Sequence, residues 1–241
     1  MKREIDGVAE FVRLDAERRA YYVLPAGKPP FPCVLLFPEA FGINDYIQSE
    51  CRRLGQLGYA VIAPDFFRGE VYSYDDMPKV MAKLQTFTKD FLMEDVRAAV
   101  RFAEDRDEIE SEQLGAVGFC MGGRLAFLTA LELGTRIGAA ASFYGGGLAP
   151  EKPRFFEPLV DRIPELQSPV LLIYGAEDEG IAPSEHARLA EALSRNKKRY
   201  TLTVFPDAGH GFASIDRPSY RREAAEAAWD LTLEFFATHM A

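Results

Sequence analysis

One stretch of the sequence places a nucleophilic side chain among closely spaced glycines, with Cys120 between Gly118 and Gly122. The small and apolar residues 114–119 before it predict a buried strand, and the apolar residues 125–133 after it predict a buried helix. A strand, a sharp turn and a helix with the spacing Gly-x-Cys-x-Gly match the G-x-S-x-G nucleophile elbow, with sulfur in place of oxygen. Such a turn strains its central residue and crowds the residues two positions away, which therefore need to lack a Cβ.

The predicted position of Cys120 favours nucleophilic chemistry. At the N-terminus of a helix, unpaired backbone N–H groups and the helix dipole favour the thiolate, which is the attacking form of cysteine. The backbone N–H of Met121 would then point at the oxyanion that develops on an attacked carbonyl. A buried structural cysteine is the alternative interpretation, because free cysteines are often buried. A phosphate-binding loop is not indicated, since the glycines match neither G-x-G-x-x-G nor G-x-x-x-x-G-K-[ST].

A candidate base follows the elbow in the sequence. Of the three histidines, His186 falls within a predicted surface helix and His239 lies close to the C-terminus. Only His210 lies in a glycine-rich segment that directly follows a predicted strand. A histidine in that position can take the proton of a nucleophile and return it to a leaving group.

The candidate acid is Asp178, which directly follows the strand predicted at residues 169–174. The resulting order of nucleophile, acid and histidine is the order of the α/β-hydrolases, in which a carboxylate orients the imidazole. Neighbouring acids compete for this assignment, namely Glu177, Glu179 and Asp207.

The remaining segments predict a mostly parallel sheet covered by helices on both faces. Two short strands near the N-terminus form an antiparallel hairpin, after which strands and helices alternate. The candidate residues all follow strand ends, where such sheets bind their ligands. Strands are predicted at residues 10–14, 19–24, 33–37, 59–63, 114–119, 137–144, 169–174 and 200–205, and helices at residues 44–57, 78–106 with a break near 89, 125–133, 183–195 and 219–239.

Length and composition predict one α/β domain over residues 1–241. The net charge of −9, with acids scattered along the chain, disfavours a nucleic acid or an anionic membrane as partner. Three widely spaced cysteines and three histidines indicate neither a disulfide framework nor a metal site. The first residues contain no apolar signal segment, so we expect a cytoplasmic protein that acts on a small molecule without a cofactor.

Four segments together resemble the dienelactone hydrolase family, the carboxymethylenebutenolidases. They are residues 38–42 (PEAFG), 118–123 (GFCMGG), 175–178 (GAED) and 209–212 (GHGF), which occur in the family's order and extend over nearly the whole chain. The resemblance implies an α/β-hydrolase fold without a large cap domain and a triad of Cys120, His210 and Asp178. It also implies that Glu39 switches the thiol between its resting and attacking forms, and that the N–H of Ala40 joins that of Met121 in the oxyanion hole.

The sequence departs from the family at the substrate carboxylate. Members that bind this group use an arginine four residues after the histidine, where this chain has Ser214. The candidates for substrate binding are the cations Arg68 and Arg124 and the aromatic residues Phe41, Phe119, Tyr144 and Phe212.

The expected function is therefore hydrolysis of small carboxylic esters or lactones. Two alternatives stay open on the same fold. One is a thioesterase or peptidase-like acyl hydrolase, and the other is a non-catalytic thiol that senses oxidants. The acyl group, the ring size and the oligomeric state do not follow from the sequence.

Overall fold

The computed structural model describes residues 6–152 and 156–240. The chain divides into two compact units, Met1–Gly115 and Ala116–Ala241, and the boundary falls within the strand β5, Ile109–Phe119. The expected single domain stays a prediction, and each unit is described by itself below.

The first unit contains four strands in the order β1-β2-β4-β3. β1 and β2 pair antiparallel, as the predicted hairpin requires, and β3 pairs parallel with β4. Thr88 begins a new helix by accepting a hydrogen bond from the N–H of Phe91 at 3.1 Å, which confirms the predicted break in the long helical region. The elements are β1 Val8–Arg13, β2 Arg19–Leu24, β3 Phe31–Phe37, α1 Asp45–Gln56, β4 Ala60–Pro64, α2 Met77–Leu84 and α3 Lys89–Glu104.

Buried carboxylates organise the loop that follows β4. Asp95 on α3 is 1% exposed and binds Nε of Arg18 at 2.9 Å and Nη2 of Arg68 at 2.9 Å. Asp65 is equally buried and accepts from Nε of Arg19 at 2.6 Å. Because Arg68 is engaged by Asp95 and by the carbonyl of Asp65, its guanidinium serves the packing of the first unit.

The second unit contains a parallel arrangement β6-β7-β8. Trp229 packs against Phe119 and Phe143 with ring centroids 6.0 and 5.5 Å apart, so the C-terminal helix closes the core over the elbow strand and β6. The elements after β5 are α4 Met121–Leu133, β6 Ile137–Phe143, β7 Val170–Gly175, α5 Pro183–Arg195, β8 Tyr200–Phe205 and α6 Arg222–His239.

The predicted boundaries differ from the structure mainly at β5, which begins at Ile109 instead of residue 114. Its first part is polar and mostly exposed, so hydrophobic patterning alone identified only the buried part of the strand. Between β6 and β7, the described residues contain one short 3-10 helix, Val160–Glu165, and no segment large enough for a cap domain. No helix within residues 6–152 and 156–240 combines the length and the apolar character needed to cross a bilayer.

Candidate active site

Cys120 occupies the turn between β5 and α4 in a strained backbone conformation, with φ 55° and ψ −116°. A Cβ on Gly118 would lie 2.0 Å from the carbonyl oxygen of Gly122, and one on Gly123 would lie 2.6 Å from that of Phe143. Both distances are far below a van der Waals contact, so the turn closes only around residues that lack side chains. The crowding predicted for the elbow is thus confirmed at Gly118.

The setting of Cys120 differs from that of the other two cysteines. Cys33 and Cys51 are completely buried, and burial raises the pKa of Cys33 to about 12 and that of Cys51 further still. Cys120 is partly exposed and heads α4, where its N–H donates to the carbonyl of Phe143 at 3.0 Å. A thiol presented at a helix N-terminus and open to a cavity is in a position to react, whereas buried thiols are inert.

His210 and Asp178 form a hydrogen-bonded pair. Nδ1 of His210 lies 2.8 Å from Oδ2 of Asp178, whose side chain is fully buried. The other oxygen of Asp178 accepts from the N–H of Gly180 at 2.8 Å, which holds the carboxylate in place. A carboxylate fixed in this way selects one imidazole tautomer and leaves Nε2 for chemistry.

The pairing of β7 and β8 decides which acid meets the histidine. Gly175 is in register with Phe205, and beyond this pair the N–H of Glu177 donates to the carbonyl of Ala208 at 2.9 Å. A Cβ on Gly175 would lie 2.1 Å from that same carbonyl, so the two loops can approach only because this residue is glycine. The competing acids are exposed, namely Glu177, Glu179 and Asp207.

The surroundings of His210 favour its protonated form. Burial disfavours the charge, but the charge of Cys120 and the hydrogen bonds with Asp178 and Cys120 outweigh burial and raise the pKa of His210 to about 10. The ring of Tyr144 packs beside the imidazole with centroids 5.2 Å apart. The histidine is therefore in a position to hold a proton for the reaction, between Cys120 and the carboxylate of Asp178.

A cavity of about 570 Å³ opens beside Cys120 and His210 within the second unit. Met121 and Ile181 contribute apolar surface to its wall, and several charged side chains also line it. Its volume falls in the range of small-molecule pockets, about 300–1,000 Å³. The charged residues are Arg124, Glu151, Lys152, Glu185 and Arg188.

The other residues predicted for the site divide into two groups. Arg124 lines the cavity, whereas Phe119, Tyr144 and Phe212 are completely buried and belong to the core behind it. Phe41 packs against Tyr74 in the first unit, at 4.5 Å between ring centroids.

Glu39 and Ala40 directly follow β3 in the first unit, and both are buried. Their roles beside the thiol remain predictions.

The sequence reasoning missed the contribution of α5 to the cavity. Glu185 looked like an ordinary acid of a first helical turn, but it is buried, with 4% of its surface exposed. His186 lies on the predicted helix but on its buried side, because its ring stacks on Tyr174 at 4.1 Å and the residue is 8% exposed. In the sequence, Glu185 and His186 interrupt the apolar face of the helix, which was the available signal.

The described residues were compared with the arrangement of side chains that a metal ion needs as ligands. Among them, no group of three histidine, cysteine or acidic side chains is arranged to hold a metal ion.

Comparison with known proteins connects this geometry to a family. The sequence profile of the dienelactone hydrolase family matches residues 19–240. This chain belongs to the dienelactone hydrolase family. A proposed carboxymethylenebutenolidase of Methylorubrum extorquens is 33% identical over 96% of the chain and 80% of its own length.

One relative with a solved structure and one that is named as a lactonase extend this comparison. The crystal structure of a proposed dienelactone hydrolase from Klebsiella pneumoniae superposes with a TM-score of 0.89, at 30% identity, over 98% of this chain and all of that one. A Bradyrhizobium protein, 29% identical over 92% of this chain and 90% of its own length, is named as a probable lactonase for 2-oxo-3-(5-oxofuran-2-ylidene)propanoate. The predicted α/β-hydrolase fold is confirmed, and the protein is a dienelactone hydrolase-like hydrolase of carboxylic esters or lactones.

Proposed function

We propose that this protein hydrolyses small carboxylic esters or lactones with Cys120 as nucleophile, His210 as proton carrier and Asp178 as the group that orients His210. The observation that carries the proposal is the 2.8 Å contact between a fully buried carboxylate and an imidazole that lines the same cavity as the thiol. A nucleophile, a base and an orienting acid in this arrangement are the parts of acyl-transfer catalysis.

The reaction proceeds in two steps. The Cys120 thiolate attacks the acyl carbon, and the carbonyl oxygen becomes an oxyanion that accepts hydrogen bonds from the N–H groups of Met121 and Ala40. Collapse of this intermediate breaks the ester bond, and protonated His210 gives its proton to the leaving alkoxide. Water then attacks the thioester while His210 takes its proton, and the carboxylic acid leaves with the thiolate restored.

Two further elements of the proposal concern the surroundings of the thiol. Glu39 opposes formation of the thiolate until substrate binds, because a nearby anion disfavours a second negative charge. Lactones with a conjugated ring are included among the substrates because the Bradyrhizobium relative carries the name of such a lactonase. A reducing cytoplasm, which keeps the thiol free, is the proposed location.

The test compares the Cys120→Ala variant with wild type on a panel of aryl esters and lactones. We expect the variant to lose activity at least about a thousandfold, since removing a nucleophile leaves only binding and oxyanion stabilisation. Cys51→Ala is the matched control, because that thiol is buried in α1. Iodoacetamide should inactivate the wild type and Cys51→Ala with a stoichiometry of one.

Two results would contradict the proposal. One is full esterase activity in Cys120→Ala. The other is reversible oxidation of Cys120 by peroxide in a protein that turns over no ester, lactone, thioester or peptide, which would indicate a sensor.

A further inference from the structure

A short turn at residues 147–149 contributes Gly147 to the wall of the cavity beside Cys120 and is held from two directions by charged side chains. Gly147 lies directly on the cavity. The peptide groups of this turn cannot pair in a sheet, because the turn follows the end of β6. The carbonyl of Leu148 accepts from the backbone N–H groups of Leu159 at 2.8 Å and Val160 at 3.0 Å. The other hydrogen bonds of the turn come from side chains of the elbow helix α4 and of α5.

Arg124 holds the turn from α4. Its N–H donates to the carbonyl of Cys120 at 3.2 Å, so it stands one helical turn beyond the nucleophile. Its Nη1 donates to the carbonyl of Gly147, and its Nη2 to that of Glu157. The guanidinium is thereby committed to two backbone carbonyls and is 8% exposed.

Glu185 holds the turn from the first turn of α5. Its Oε1 accepts from the N–H groups of Leu148 at 2.7 Å and Ala149 at 3.1 Å. One turn further along the helix, Nε of Arg188 donates to the carbonyl of Ala149 at 2.7 Å. The same helix begins five residues after Asp178, at Pro183.

The charges of this arrangement depend on each other. No carboxylate among the described residues lies within ion-pair distance of Arg124. Burial lowers the pKa of Arg124 to about 10, and the charge of Glu185 opposes that effect. A buried cation and a buried anion on opposite sides of one turn therefore stabilise each other across it.

We propose that Arg124 and Glu185 are positioning residues that hold the 147–149 turn as a rigid cavity wall and so select substrates with an apolar substituent of limited size. This inference rests on the proposed function of the same site. Met121 and Ile181 provide apolar surface for such a substituent. The turn limits its length, because backbone held by four hydrogen bonds from buried or partly buried side chains does not move aside.

The test measures kcat and KM for an aryl acetate and the matching aryl hexanoate in Glu185→Ala, Glu185→Gln and Glu191→Gln. Alanine removes the acceptor for both N–H groups, and glutamine keeps an acceptor oxygen without the charge. Glu191 is an exposed residue of the same helix that pairs with Arg195. Because the loosened turn no longer limits the length of the acyl chain, we expect the ratio of kcat/KM for hexanoate to that for acetate to rise about tenfold in Glu185→Ala. The change should come through KM. Glu185→Gln should restore most of the wild-type ratio, and Glu191→Gln should match wild type.

A second measurement separates positioning from general loss of structure. The rate at which iodoacetamide alkylates Cys120 should stay within about twofold of wild type in Glu185→Ala, because that small reagent does not use the cavity wall. Arg124→Lys should shift the ratio in the same direction as Glu185→Ala, since one amine cannot donate to two carbonyls in the same fork.

Three outcomes would overturn the inference. The ratio could stay unchanged in Glu185→Ala, or both esters could lose activity equally with slower alkylation. A marked preference of wild type for an anionic hemisuccinate ester, lost in Arg124→Lys, would make the guanidinium a direct substrate ligand. If wild type hydrolysed none of these esters, or Cys120→Ala hydrolysed them fully, the proposed function itself would fail, which is a distinct result.

Discussion

The buried carboxylate of Glu50 makes the stability of the protein depend on pH in a direction that can be measured. Glu50 lies on α1 with 8% of its surface exposed, and its Oε2 is 4.0 Å from Nη1 of Arg53, beyond hydrogen-bond distance. Burial raises the pKa of Glu50 from 4.5 to about 7, and the charge of Arg53 opposes the rise only in part. The folded protein therefore binds this proton more tightly than the unfolded chain does.

The linkage sets the sign and the size of the effect. Below pH 4.5 the carboxyl is neutral in both states, and the stability that this proton provides is fully present. It is lost as the pH rises from 4.5 to about 7, and above that pH a charged carboxylate stays in an apolar setting. The difference between a pKa of 4.5 in the unfolded chain and about 7 in the folded protein corresponds to about 3 kcal/mol of destabilisation at pH 8.

The variant Glu50→Gln removes the charge and keeps the shape. We expect its free energy of unfolding to exceed that of wild type by about 3 kcal/mol at pH 8 and by less than about 0.5 kcal/mol at pH 4.5. Urea denaturation followed by the fluorescence of Trp229, the single tryptophan, measures both values. Glu191→Gln, with an exposed carboxylate, should show no such pH dependence. The reasoning would be refuted if Glu50→Gln and wild type had the same free energy of unfolding at pH 8. It would also be refuted if their free energies of unfolding differed equally at both pH values.

Two further predictions concern the site. Replacing Asp178 by Asn should lower kcat for an aryl ester by about a thousandfold or more with little change in KM, because the amide no longer selects the imidazole tautomer of His210; a loss below about threefold would argue against the orienting role. Replacing Gly118 by Ala should lower the free energy of unfolding by about 3 kcal/mol and abolish activity, since its Cβ would overlap the carbonyl of Gly122. Gly209→Ala is the control for the thermal melt, because its Cβ would meet its nearest neighbour at an ordinary 3.5 Å, and equal melting temperatures for the two variants would contradict the steric argument.

Features that depend on neighbours in the chain could be read from the sequence. The elbow is such a feature, because the absence of a Cβ at Gly118 relieves a clash with a residue four positions away. The helix start at Thr88 and the extent of α5 and β8 likewise follow from capping residues and from local hydrophobic patterning. The order of nucleophile, acid and histidine was also visible, since it is a property of the chain itself.

Features that depend on the packing of distant segments were decided by tertiary structure. Four acids lie near the ends of β7 and β8, and only the register of these strands brings Asp178 to His210. Glu185 and Arg124 are 61 positions apart in the numbering, and no local pattern shows that they hold the same turn. They become a pair because β6 ends in a turn whose peptide groups have no strand partner, and a buried peptide group requires a hydrogen bond from whatever element the fold places beside it.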